Sequence, residues 1–292
     1  MVEKKEKIKL VITGAKGMLG YDLRRVFGAD KNYKIFAFDK DTLDVANLQQ
    51  VKQKIEDIKP DIIINAAAFT AVDDCEKKKY HKKCLEINGK GPGNLAKMAK
   101  KTGAVLVHVS TDYVFDGNNQ KGYSERARLK PVSRYGKSKA KGEIELKKNC
   151  NKFFIVRTSW LYGKNGDNFV KTITGYAKKM PELKVVNDQR GKPTWTYDLA
   201  LHLKKLVESR KPFGVYHFAN EGETTWYDFT KEILRQQKIK TSVKPCATEE
   251  FPRPAKRPQN SSLLNTKFTR MQHWKKALSQ YLIDVKPKKK KA

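Results

Sequence analysis

Along the chain, short runs of β-branched and other apolar residues alternate with longer stretches in which apolar positions recur every three or four residues. The short runs read as strands and the longer period as amphipathic helices. Strands are predicted at 8–13, 34–38, 61–65, 105–110 and 153–158, with helices at 18–27, 48–58, 80–101 and 131–148. Such alternation builds a parallel sheet covered by helices. Asn47 is placed to cap the second helix, and Lys59-Pro60 to end it. After Gly163 the pattern loosens. A helix at 168–179, a strand at 183–186, a helix at 196–208, a strand at 215–219, a helix at 226–236 and a proline-rich loop at 251–258 follow.

Composition narrows the classes. Hydrophobic residues are 39% of 292, enough for a packed core and too few for a membrane protein. The longest apolar runs, such as Ile62–Ile64, are strand-sized, and the N-terminus is charged, so a cytoplasmic protein without a membrane partner is expected. Cys75, Cys84, Cys150 and Cys246 lack metal-ligand or redox spacing; four reduced thiols are expected in preference to a Cys75–Cys84 bridge. The charge is unusual: 62 Lys+Arg against 31 Asp+Glu, formally +31. The lysines recur on nearly every predicted helix instead of forming one patch, which describes a solvated surface. Such a field draws in polyanionic ligands without specific nucleic-acid recognition.

The first candidate site is Gly14-Ala-Lys-Gly17-Met18-Leu19-Gly20, between the first strand and first helix. Small residues there let the backbone approach a pyrophosphate, and a helix N-terminus supplies free N–H groups. The spacing is G-x-x-G-x-x-G, so a tight turn is the competing explanation, and its place directly after a strand favours the dinucleotide. Asp39 closes the second strand, where an acid accepts hydrogen bonds from ribose hydroxyls and favours NADH; adjacent Lys40 suits the 2′-phosphate of NADPH. Either cofactor is therefore expected. Asp44 and Val45 would flank the adenine. Ala66, Ala67 and Ala68 would let the cofactor lie against the sheet, with tight helix–strand packing as their other role. The fold class is then α/β, a Rossmann-type doubly wound parallel sheet with a smaller α/β substrate-binding domain. Residues 1–163 form the first domain, with 191–219 returning to it. Residues 164–190 and 220–285 form the second, and 286–292 a basic disordered tail.

The second site is Tyr135-Gly-Lys-Ser-Lys139, which sets a phenol and an ammonium one helical turn apart. A nearby cation favours the phenolate and is expected to lower the tyrosine pKa. Tyr227 and Lys231 share the spacing and read as a helix-surface pair. Context separates the two: Tyr135 follows the strand that ends at Ser110-Thr111, and open α/β sheets place chemistry beyond strand C-termini. Thr111, Tyr135 and Lys139 are the expected catalytic triad, although a strand-end Ser-Thr also forms turns.

Further segments follow in order: Asn65-Ala-Ala-Ala-Phe-Thr-Ala-Val-Asp73, Asn88 with Gly91-Pro-Gly-Asn-Leu95, and His108-Val-Ser-Thr-Asp-Tyr-Val-Phe-Asp-Gly117. After them come Arg157-Thr-Ser-Trp-Leu-Tyr-Gly163, Asn168-Phe-Val-Lys-Thr172, Asn187-Asp-Gln, Pro193-Thr194 and Arg257-Pro-Gln-Asn-Ser261. Together with the two sites above, they make the chain resemble the dTDP-4-dehydrorhamnose reductases, extended short-chain dehydrogenases/reductases, from about Ile8 to Leu282. The resemblance implies reduction of C4 of a dTDP-linked keto sugar by NADPH or NADH. Tyr135 would be the general acid, Lys139 its tuner and ribose anchor, and Thr111 the carbonyl partner. Thr70 would join the cofactor site. Val72, Asp73 and Trp160 would line the sugar pocket with Asn168 close by, and Arg257 would address the pyrophosphate. Plainer roles compete: core aromatic for Trp160, helix cap for Asn168, surface cation for Arg257. Some relatives hold Mg²⁺ between subunits. Asp22 corresponds to one such ligand, but Tyr197 stands where another would be, so no metal is expected and a homodimer is left open.

Three other readings compete with the reductase. A nucleotide-sugar dehydratase or epimerase shares the fold, but dehydratases place Asp-Glu after the active-site threonine, and here Tyr113 follows Asp112. The regulatory subunit of methionine adenosyltransferase is a non-catalytic relative; Trp160, Gln189 and Pro193-Thr194 favour the reductase. A nucleic-acid-binding protein lacks any visible reading motif.

Overall fold

The computed structural model describes residues 6–286. Its centre is a six-stranded, wholly parallel sheet. The chain runs through β1 (Ile8–Thr13), α1 (Met18–Gly28), β2 (Tyr33–Phe38), α2 (Leu48–Ile58) and β3 (Ile62–Asn65). It continues through α3 (Lys78–Leu85), α4 (Gly91–Thr102), β4 (Val105–Thr111), α5 (Arg134–Asn149) and β5 (Phe153–Thr158). Next come β6 (Leu161–Tyr162), α6 (Phe169–Ala177), β7 (Glu182–Val186), β8 (Arg190–Gly191), β9 (Thr194–Trp195) and α7 (Thr196–Val207). The remainder is β10 (Gly214–His217), β11 (Thr224–Thr225), α8 (Trp226–Gln237), β12 (Ser242–Cys246) and α9 (Trp274–Asp284). The strand order is β10-β5-β4-β3-β1-β2.

Both faces of the sheet are covered. One core joins Leu10, Ile12 and Ile64 to Leu19, Leu23 and Phe27 of α1 and to Leu199, Leu203 and Leu206 of α7. The other joins Val11, Ile63 and Leu106 to Val51 and Ile55 of α2 and Leu95 and Ala99 of α4. Strands buried on both faces read as continuous apolar runs, which is why Ile62-Ile63-Ile64 carries no alternation. A separate core around Tyr162, Phe229, Trp274 and Tyr281 unites α6, α8 and α9 with β7.

Several elements depart from expectation, among them the helix α9 and the two-residue strands β6, β8, β9 and β11, which the sequence pattern does not announce. The single helix predicted over 80–101 is divided: α3 ends at Leu85, a π turn spans Glu86–Lys90, and α4 begins at Gly91. Pro92 has no N–H to continue the first ladder. Asn88 uses the turn to reach sideways, accepting from Phe69 N at 2.9 Å and donating to Phe69 O at 3.0 Å. The strand β12, which pairs with β7, is likewise hidden in the sequence, because Pro245 and the exposed Ser242 and Lys244 obscure its pattern. All four cysteines are free and buried, and the Cys75 and Cys84 sulfurs lie 2.6 Å apart. Of the predicted basic tail, residues 287–292 lie outside the described residues.

Candidate active site

The order of the sheet reverses between β1 and β3, and a crevice opens there beyond the strand C-termini. Gly14 follows β1 with φ of +69°, a left-handed conformation, and a Cβ on it would meet the Ala66 carbonyl at 2.7 Å. A larger residue would push the loop off β3 and fill the crevice. Gly17 then opens α1 without any side-chain cap, and the first turn carries no acid. Its amide donors and positive potential are left for an anion. This cradle fits a dinucleotide pyrophosphate.

The crevice is the end of a cleft of about 870 Å³. Gly14, Gly17, Met18, Leu19, Gly20, Asp39, Lys40, Asp44 and Val45 line one end. Ala66, Ala67, Ala68 and Thr70 lie along its middle, and Val72, Thr111, Tyr135, Lys139 and Trp160 line the rest. Asp73, Asn168 and Arg257 are not in its wall. Asn168 is the N-cap of α6, accepting from Lys171 N at 3.2 Å and donating to the Gly163 carbonyl at 2.8 Å, so both ends of its amide are engaged within the fold. Arg257 is paired with Asp73. A second hollow, of about 740 Å³ against α8, contains none of the predicted site residues.

Sequence reasoning passed over several lining groups. Lys16 makes an ion pair with Asp39 at the end of the cleft beside the glycine loop. Asp39 is held at about 2, first by that Lys16 hydrogen bond, with the Asp41 N–H and Thr42 hydroxyl adding. The pair joins a loop to a strand end 23 positions apart, and neither residue's local pattern announces it. Asp112 is buried beside Thr111, whose hydroxyl lies 2.9 Å from Asp112 Oδ1. Burial pushes Asp112 up to about 6, against hydrogen bonds from Ser261 and Thr111. Trp226, read from sequence only as a helix start, also lines the cleft.

Tyr135 and Lys139 lie on the buried face of α5, which Ser133 caps by accepting from Gly136 N at 3.1 Å. Lys139 Nζ donates to the Val109 carbonyl at 2.7 Å. Burial depresses Lys139 to about 8, opposed chiefly by the Glu143 carboxylate one turn further on. Glu143 is itself buried between Ser110, at 2.7 Å, and the Arg157 guanidinium, at 2.7 and 2.9 Å. The expected lowering of Tyr135 by Lys139 is not found in the free protein. Burial raises Tyr135 above its ordinary value, the Asp112 carboxylate adds to this, and a Thr111 side-chain hydrogen bond opposes it. The reason is desolvation: a phenolate at a buried position loses much of its hydration. A phenol in this state keeps its proton at neutral pH, as a donor to a developing alkoxide must.

Tyr227 is different. It lies outside the cleft, with Lys231 Nζ 5.1 Å from its ring centre. Asp22 is buried, accepting from Thr196 at 2.6 Å and from Arg25 at 2.9 Å, and Arg25 lies over the Tyr197 ring at 4.6 Å. A guanidinium thus fills the carboxylate that the resemblance set against a metal. Among the described residues no group of three His, Cys, Asp or Glu is arranged to hold a metal ion. Among them, too, no helix is long and apolar enough to cross a membrane.

Residues 8–286 match the family described as RmlD substrate binding domain. Among curated proteins, the spore coat polysaccharide biosynthesis protein SpsK of Bacillus subtilis is 39% identical, over 94% of this chain and 96% of the relative. The dTDP-4-dehydrorhamnose reductase of Aggregatibacter actinomycetemcomitans is 40% identical, over 89% and 91%. This chain belongs to the dTDP-4-dehydrorhamnose reductase family. A solved family structure, the Bacillus anthracis reductase in complex with NADP, superposes with a TM-score of 0.92 at 41% identity, covering 95% of this chain and 99% of that one. The Rossmann-type fold and the nicotinamide-dependent oxidoreductase class therefore stand for this family member as expected.

Proposed function

We propose that this reductase converts dTDP-4-dehydro-L-rhamnose to dTDP-L-rhamnose with NADPH or NADH. The observation that carries the reading is the single cleft running from the glycine cradle to Tyr135, Lys139 and Thr111. When bound, the nicotinamide supplies a hydride to C4 of the sugar. Gly14, Gly17 and the α1 N-terminus hold the pyrophosphate, while Asp39, Lys40 and Lys16 meet the adenosine ribose. Thr111 and Tyr135 take the C4 oxygen between them. Tyr135 delivers its phenolic proton to that oxygen as negative charge develops on it. Lys139 anchors the nicotinamide ribose and, as a cation, helps the phenol part with its proton. Val72 and Trp160 border the sugar, and Arg257 meets the nucleotide phosphates from the adjoining loop.

The test is oxidation of NADPH and NADH by the purified protein with dTDP-4-dehydrorhamnose and, separately, a UDP-linked 4-keto sugar. Turnover with the dTDP sugar and little with the UDP sugar is expected. Turnover with neither would overturn the reading.

A further inference from the structure

Cys75 and Cys84 belong to separate short elements, a single 3-10 turn at Asp74–Glu76 and the last turn of α3, yet both are buried and their sulfurs lie 2.6 Å apart. They form one buried cluster with Tyr135, walled by Phe69, Val72 and Tyr113, which line the cleft. Cys84 Sγ donates to Ser138 Oγ at 3.2 Å, and Ser138 Oγ donates to the Tyr135 carbonyl at 2.7 Å. Asn88 Nδ2 donates to the same Ser138 Oγ at 3.0 Å and reaches Cys84 Sγ at 3.6 Å. A charged group created at Cys84 would therefore be buried beneath the first turn of α5.

The two thiols differ. The hydrogen bond they share holds Cys84 below the ordinary thiol value and Cys75 above it. Ser138 and Asn88 add to the lowering of Cys84, and burial adds to the raising of Cys75. Cys84 is thus the nucleophile of the pair and Cys75 the thiol that can resolve what forms on it. Access comes through α3. Four of its eight residues are lysines, and Cys84 is its one buried residue. A helix anchored by so little apolar surface opens locally at low cost, and opening uncovers the anchor itself.

We propose that Cys75 and Cys84 form a peroxide-modification site: hydrogen peroxide oxidises Cys84, and Cys75 captures the product as a disulfide that staples α3 to the segment carrying Val72. The Cys84 thiolate attacks the peroxide; an S–O bond forms, the O–O bond breaks and hydroxide leaves, giving a sulfenic acid. Hydroxide takes the Cys75 proton, the Cys75 sulfur attacks Cys84, the S–S bond forms and the S–O bond breaks. Overall the two thiols give up two hydrogens with their electrons, and one peroxide becomes two waters. A dithiol reductant returns the pair by exchange. Capture by Cys75 also keeps Cys84 from the sulfinic acid, which thiols do not reverse and whose charge would lie against Ser138 and Tyr135.

These covalent changes are read without any assay of sugar reduction, so they stand apart from the substrate assignment. Full-length wild type, Cys75→Ser and Cys84→Ser are treated with hydrogen peroxide, alkylated, digested with trypsin without reductant and mapped by mass spectrometry. In wild type a linked pair is expected, the peptide ending at Lys77 joined to the peptide Cys84–Lys90, separated by dithiothreitol, with Cys150 and Cys246 still alkylated. Cys75→Ser should accumulate Cys84 bearing two added oxygens that dithiothreitol does not remove, and its thermal unfolding midpoint should fall after treatment. Cys84→Ser should keep Cys75 as a free thiol. A wild-type map in which Cys75 and Cys84 stay free while Cys150 or Cys246 is oxidised overturns the proposal, as does a Cys75→Ser protein whose Cys84 stays reduced. If either variant does not fold, the wild-type map decides.

Discussion

Arg257 donates from Nη2 to Asp73 Oδ2 at 3.0 Å, joining residues 184 positions apart. The Ala255 N–H adds a second hydrogen bond to Asp73, at 3.2 Å. The proline-rich loop is thereby fastened to the segment that carries Val72 into the cleft. Arg257→Ala should raise the sugar-nucleotide KM by about ten- to a hundredfold, the size of a lost charge-assisted hydrogen bond. Asp73→Asn keeps an acceptor for the guanidinium and should cost less. Steady-state kinetics with each substrate varied in turn checks this; an equal rise in NADPH KM would count against a role at the sugar nucleotide.

Tyr135→Phe removes the phenolic proton and keeps the ring within its buried cluster. Turnover should fall by about 10²–10⁴ with cofactor affinity nearly unchanged. Tyr227→Phe, outside the cleft, should be close to neutral. Parallel behaviour of the two variants would remove the assignment.

The ribose end predicts opposite effects for two partners. Asp39→Ala should weaken NADH more than NADPH, since only a free 2′-hydroxyl uses the carboxylate. Lys16→Ala should weaken NADPH more than NADH, by about two- to fivefold for an exposed charge. The ratio of kcat/KM for the two cofactors reads both effects, and a ratio unmoved by either substitution would place the adenosine ribose elsewhere.

Lys139 sets an alkaline limit. Its pKa is depressed to about 8, so the cation present below that pH is lost above it. The kcat/KM for NADPH, which reports ionisations of the free enzyme, should fall as pH rises through about 8. A profile flat to the ordinary lysine range, about 10.4, would show that this ionisation does not matter.

Asp112 couples to stability with a defined sign. Burial raises it to about 6 from 3.8, so the folded state binds the proton more tightly than the unfolded chain. The neutral form is favoured at low pH, and stability is lost as pH rises from about 4 to 6. Asp112→Asn, which stays neutral, should gain on wild type across that window by up to about 3 kcal/mol and hold the gain above it. Urea denaturation at several pH values measures the difference; a pH-independent offset would contradict the buried-acid account.

Local signals were legible in the chain and distant ones were not. The glycine loop and the Tyr135–Lys139 pair are read from spacing and position, because a strand–turn–helix unit and one helical turn fix their geometry. The strand limits at Ile8–Thr13 and Phe153–Thr158 agree with the structure because each is built around an apolar, largely β-branched or aromatic run, Leu10–Ile12 and Phe153–Val156. Lys16 with Asp39, and Trp226 on Trp160, depend on segments brought together by the sheet and by β8–β11. The upward shift of Tyr135 is not legible in the sequence, because a neighbouring cation is visible there whereas burial is a property of the packed chain. Asn168 was placed near the ligand by its motif, yet its amide closes a helix end.

The sheet also imposes an order on synthesis. β10 pairs with β5, yet the strands are separated by more than fifty residues that build much of the second core. α7, which covers the apolar stripe of α1, lies in the same late stretch. While the chain is still emerging from the ribosome, the central strand β5 lacks its β10 partner and one face of α1 is uncovered. Both are sites for mispairing until residue 217 is free. A fragment stopped after Gly163 keeps the glycine cradle, Tyr135 and Lys139 but not the surfaces that shield them, so it should aggregate.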